Sequence, residues 1–136
     1  MDIERAREFA RRNHRAVLAT RTGSGGIQQS PVLVTVDGDG RFCVSSRETA
    51  YKTKNLRRDP RAQLLLISDG FFGDWYVVEG AVEVLSLPEA TEPLVEYYRA
   101  ASGEHPDWDE YRQSLVDQQR VIIRLTAERA GPDRAG

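Results

Sequence analysis

The stretch Ser45-Ser46-Arg47-Glu48-Thr49-Ala50-Tyr51-Lys52-Thr53-Lys54-Asn55-Leu56-Arg57-Arg58-Asp59-Pro60-Arg61 gathers the residue types that bind anions. Two hydroxyls precede Lys52, Lys54, Arg57, Arg58 and Arg61, set against the nearby acid Asp59. A short helix entered at Thr49 would leave its first backbone N–H groups unpaired and its positive dipole end outward, with Lys52 in that first turn. Phosphate suits such a place, because hydroxyls, backbone N–H groups and a cation together match its oxygens. The competing reading is a solvated basic connector closed by Asp-Pro. The hydroxyl pair just before the turn favours the anion site.

Other chemistries find less support. Cys43 reads as a small core residue, since no nearby base would activate its thiol. Two histidines far apart and one cysteine match no zinc pattern, so no metal is expected. Glu104, His105, Asp107, Asp109 and Glu110 resemble a catalytic cluster at first sight. Asp107-Trp108-Asp109-Glu110 has capping-box spacing, however, and a helix cap accounts for it.

At 136 residues the chain fits one domain, expected over 1–127, with 128–136 as a flexible C-terminal tail. Acidic residues number 21 against 19 basic ones, a net charge of -2, which disfavours general nucleic-acid binding. A single cysteine excludes an internal disulfide. Met1-Asp2-Ile3-Glu4-Arg5 lacks an apolar signal core and no run is long enough to span a bilayer, so the expected location is cytoplasmic, without membrane association.

The elements that must position the basic turn follow from periodicity. Asp2 caps a first helix with Ile3, Ala6, Phe9 and Ala10 on one face. Strands are expected over 15–20, 28–36, 41–45, 62–68, 75–85 and 120–126. In the second, Val32, Val34 and Val36 point one way, and Pro31 places its start at an edge or bulge. Asp37-Gly38-Asp39-Gly40 is a hairpin turn, the run 62–68 reads as a strand covered on both faces, and Gly80 permits a bend in the fifth strand. A helix from Leu87 to about Ala101 ends before Gly103, and a second runs to about Gln119. Six antiparallel strands of this kind close most economically into a small barrel with helices outside. Its interior is filled by side chains, so a large ligand must bind in a groove or at a subunit boundary.

Asn13-His14-Arg15-Ala16-Val17-Leu18-Ala19-Thr20, then Lys52 through Ala62, then Gly103-Glu104-His105-Pro106-Asp107-Trp108-Asp109-Glu110-Tyr111-Arg112 together resemble the deazaflavin-dependent branch of the pyridoxamine 5′-phosphate oxidase-like proteins. The likeness runs in order over nearly the whole chain. It implies a six-stranded split β-barrel homodimer with cofactor sites across the subunit interface, and hydride transfer from reduced coenzyme F420 to an organic acceptor. By that resemblance Gln28, Gln29, Ser30, Pro31, Val32 and Leu33 run beside the deazaflavin ring, and Ser45 and Ser46 meet the ribityl and phosphate region. Lys52 matches the phosphate-binding lysine, with Tyr51 and Asn55 beside it and Arg57 or Arg58 available for the anionic tail. Trp75 and Tyr76 match the partner-subunit strand that closes the site. The segment Asp69–Asp74, with Phe71 and Phe72, is longer than is usual in the family and bears on the acceptor pocket. No catalytic residue is assigned; Tyr51, Tyr76 or solvent could supply a proton. FMN in place of F420, giving a flavin-type oxidase or reductase, leaves most of the basic lane unexplained, and a non-catalytic carrier of F420 is the third reading.

Overall fold

Seven strands make one antiparallel sheet in a computed structural model that describes residues 3–132. They are β1 (Arg15–Arg21), β2 (Ile27–Leu33), β3 (Thr35–Val36), β4 (Phe42–Arg47), β5 (Arg61–Ile67), β6 (Trp75–Leu85) and β7 (Arg120–Gly131), in the order β2-β1-β5-β6-β7-β4-β3. The helices are α1 (Ile3–Arg12), α2 (Tyr51–Arg58), α3 (Thr91–Ser102) and α4 (Trp108–Asp117).

The count of seven, not six, has one cause. The strand expected over 28–36 breaks at Val34: residues up to Leu33 pair with β1, whereas Thr35 and Val36 pair with β4. At the break the Val34 N–H makes the last bond toward β1, donating to the His14 carbonyl at 2.7 Å one pair beyond Arg15–Leu33. The two margins of the sheet are therefore joined through a single residue, and the sheet curls round that corner.

Alternation along each strand turns Ala16, Leu18, Leu64, Leu66, Val78, Ile123, Leu125, Phe42 and Val44 inward, all buried. Helix α1 closes one end with Ala6, Phe9 and Ala10, and α2 closes the other with Leu56. Burying Phe9 against the Tyr76 ring, 5.2 Å away, contributes about 1.5–3 kcal/mol, whereas the Arg7–Glu4 pair on the outer side of α1 is screened by solvent. Packing, not charge, seats this helix. The Asp2 cap lies outside the described residues.

A second, smaller core of Cys43, Ala90, Leu94, Leu115 and Ile122 forms between the other face of β4 and β7 and the pair α3–α4. Asp107 caps α4 as its spacing requires, its Oδ1 accepting the Glu110 N–H at 3.1 Å, and Gly103 ends α3 at a φ of 80°. Helix α3 starts at Thr91, after Ala90, not at Leu87. A bulge between Glu79 and Gly80 bends β6, and a Cβ on Gly80 would collide with the Thr126 carbonyl oxygen.

Two expectations are corrected. Strand β7 runs to Gly131, opposite Val77, so 128–131 belong to the sheet and not to a tail; 133–136 lie outside the described residues. Along β5 only Ala62, Leu64 and Leu66 are buried, while Leu65 and Ile67 are half-buried on the opposite face, over which no element of the described residues packs.

Candidate functional site

Above the Val34 corner β2 and β4 have no ladder between them. Strand β2 pairs only with β1, and β3 covers β4 no further than Phe42 and Cys43. The barrel is thus split along the free edge of β2 and the upper part of β4, with α2 over the top. Pro31 sits on that free edge, where its missing N–H costs no ladder bond. A free strand edge offers alternating backbone donors and acceptors, the pattern that the rim of a planar heterocycle can match.

Within β2 the side chains divide. Gln28, Ser30 and Val32 face the barrel and Gln29, Pro31 and Leu33 face out. The Ser30 Oγ is buried and has no hydrogen-bond partner. An orphaned buried hydroxyl costs about 1–3 kcal/mol, and here it lies on the strand expected to flank the cofactor. On β4, Ser46 is buried and accepts a hydrogen bond from the Thr53 hydroxyl at 2.9 Å, while half-buried Ser45 turns to the opposite face. Tyr97, on α3, clamps the closed end of the split: its hydroxyl donates to the Leu33 carbonyl at 2.7 Å. Burial pushes that hydroxyl up to about 12, with the Ser45 backbone N–H acting the other way. It keeps its proton at neutral pH.

Helix α2 begins at Tyr51. Ala50 is its N-cap and gives no side-chain bond, so the cap expected from Thr49 is absent. The cations behind it have unlike surroundings. Arg57 donates to Glu48 at 2.7 Å and to Ser86 at 2.9 Å. Arg58 donates to the Arg21 carbonyl and the Asn55 Oδ1, and Arg61 pairs with Glu128. Asn55 is buried, its amide donating to Thr20. Lys52 and Lys54, by contrast, have no side-chain partner among the described residues. Tyr51 stands 76 % exposed beside Lys52.

The remaining candidates are elsewhere. Trp75 faces out at the α1 end of the sheet, opposite Ile67. Tyr76 faces in, against Phe9, so adjacent residues of one strand serve opposite faces. Within one chain Trp75 and Lys52 stand at opposite ends of the barrel.

Comparison with known proteins gives this arrangement a lineage. The family model for pyridoxamine 5′-phosphate oxidase matches residues 3–132. The chain belongs to that family. Among solved structures, it is similar to conserved hypothetical protein Rv2991 of Mycobacterium tuberculosis, with 26% identity and a TM-score of 0.77 over 96% of this chain and 82% of that one. It resembles an F420 reductase at 19% identity, TM-score 0.70, covering 91% and 94% of the two chains. HutZ, the heme storage protein of Vibrio cholerae, has the fold at 16% identity, TM-score 0.69, over 98% and 95%. The last two likenesses concern the fold alone. The family takes its name from an oxidoreductase, pyridoxamine 5′-phosphate oxidase.

Proposed function

We propose that this protein is an oxidoreductase that passes a hydride from reduced coenzyme F420 to an electron-poor organic acceptor such as a quinone, enone or tetrapyrrole. The observation that carries the reading is the Lys52 ammonium, unpartnered among the described residues, at the head of α2 beside the split between β2 and β4, in a chain of this family. The donor set suits the cofactor: a free lysine and open helix N–H groups for phosphate, the orphaned Ser30 hydroxyl and a bare strand edge for the ring system. The name of the F420 reductase with the same fold supports the deazaflavin over FMN. Bound there, the cofactor supplies the hydride chemistry. The chain's residues bind, orient and exclude water. Lys52 and the first turn of α2 fix the phosphate, and the β2 edge sets the height of the ring.

The working unit on this reading is a homodimer. Trp75 would complete the site of the other subunit, since it cannot reach its own chain's Lys52 end. The uncovered outer face around Val17, Leu65 and Ile67 is the apolar surface such a pairing would bury.

Titration of purified protein with F420 is the test. Lys52→Ala should weaken binding roughly 10–100-fold, the weight of one charge-assisted phosphate contact. Equal binding by both proteins would remove the phosphate assignment. If FMN displaces F420 in competition, the protein is a flavin enzyme. Tight F420 binding with no turnover across quinones, enones and tetrapyrroles would make it a carrier.

A further inference from the structure

Arg47 and Arg120 are directly opposed cross-strand partners at the end of β4 and the start of β7. Like charges placed face to face destabilise a sheet, and sequences normally put an acid at one of the two positions. Here the expected compensation is missing. Arg47 is exposed and has no ion-pair or side-chain hydrogen-bond partner among the described residues. Half-buried Arg120 donates, among the described residues, only to the neutral Gln118 amide oxygen, at 2.9 Å.

The nearest acid in sequence, Glu48, is turned away. Its backbone N–H ties the β4 exit to the Gln119 carbonyl at 2.9 Å, while its carboxylate accepts from Arg57 and Ser86. Of the acids on and beside the covering helices, Glu92 pairs with Arg112, Glu96 and Glu104 with Arg99, and Asp117 with Gln113, while Asp109 and Glu110 sit in the first turn of α4, at the opposite end of that helix from Arg120. The Tyr97 and Tyr111 hydroxyls beside Arg120 donate to backbone carbonyls and bring no negative charge. Burial, and next the neighbouring Arg47, lower the Arg120 pKa, as expected of a cation short of counter-charge.

We propose that Arg47 and Arg120 form a binding site for a dianion, a phosphate or a pair of carboxylates, at the seam where the barrel meets the α3–α4 pair. Two guanidinium groups from facing strands present donors to both sides of such a ligand, and binding converts their repulsion into attraction. The dianion has two candidate sources: a free metabolite, or the carboxylate tail of the F420 of the preceding section. Only the second source rests on that functional reading. It would send the tail toward β4 and β7, because the arginines along α2 already have acceptors of their own.

Thermal unfolding at constant ionic strength tests the site without any cofactor. Inorganic phosphate or glutarate, exchanged for chloride, should raise the midpoint of the wild-type protein by on the order of 5 °C. Arg47→Gln should be at least as stable as wild type in chloride, because the repulsion is gone, and should lose the response to phosphate and glutarate. Arg120→Gln should lose it too. No specific shift in wild type, or an undiminished shift in Arg47→Gln, would overturn the site. Binding of F420 with and without its glutamates then identifies the source. A preference of about tenfold for the tailed form that vanishes in Arg47→Gln assigns the tail. A preference that survives in the variant assigns a free dianion. If F420 does not bind at all, the functional reading fails while the thermal result stands.

Discussion

Lys52 and Arg57 lie on the same two turns of α2, yet their surroundings give them different work. Arg57 is fastened to Glu48 and Ser86, and the Ser86 hydroxyl, then Arg57, hold the Glu48 carboxyl below the usual carboxylate range. Lys52 has no side-chain partner among the described residues, and on the proposed function it is left for the phosphate. None of this was legible along the chain, because Ser86 follows Glu48 by 38 residues and Glu128 follows Arg61 by 67. The basic lane could be seen in the sequence; its partial neutralisation by distant residues could not. Cys43 was legible as a core residue. Burial, with Asp37 adding to the effect, pushes its thiol up to about 12 from 9.0. The unfolded chain therefore loses this proton first, so the contribution to stability is complete below pH 9 and is lost as pH rises toward 12. The fall in unfolding midpoint between pH 8.5 and 10.5 should be steeper for wild type than for Cys43→Ala, and iodoacetamide at pH 8 should label the thiol only after denaturation, as read by mass spectrometry.

Among the elements, α2 is the one whose stability and proposed function are opposed. Its N-cap Ala50 has the extended backbone that capping residues adopt, φ -69° and ψ 145°, but no side-chain oxygen to offer. Ala50→Asp should stabilise the protein by about 1 kcal/mol in thermal or urea unfolding, and the added charge should weaken F420 binding at least tenfold. Ala50→Ser should give a similar gain in stability with little loss of binding. A parallel change in both properties would show that the helix start is not part of the anion site. Strand β2 illustrates what element-level reading can and cannot do. Pro31 marked an edge correctly, because a residue without an N–H is tolerated there. The break at Val34 left no trace, since Val32, Val34 and Val36 keep their alternation through it while the backbone changes partners.

For the whole molecule, the outer face left open by the described residues is the surface the proposed dimer would use. A cleft of about 700 Å³ lined by Val17, Leu65, Ile67, Phe71, Phe72 and Trp75 lies on the side away from the core, and Phe71 is 92 % exposed. The apolar run of β5 was legible, and its reading as covered on both faces is met within one chain on only one of them. On the proposed assembly the second cover is another copy. Leu65→Glu should then shift the protein from dimer to monomer in analytical ultracentrifugation, and F420 binding should fall with it, because Trp75 would no longer reach the neighbouring site. A monomeric variant that binds F420 at full strength would place the whole site within one subunit.

The crossover at Val34 sets how this barrel can breathe. One peptide segment borders both margins of the sheet, and Tyr97 pins the same corner to the helical layer. The opening between β2 and β4 is therefore shut at its lower extremity and can widen only towards α2, as a clothes peg does. On the proposed function, a cofactor would then enter from the lysine end.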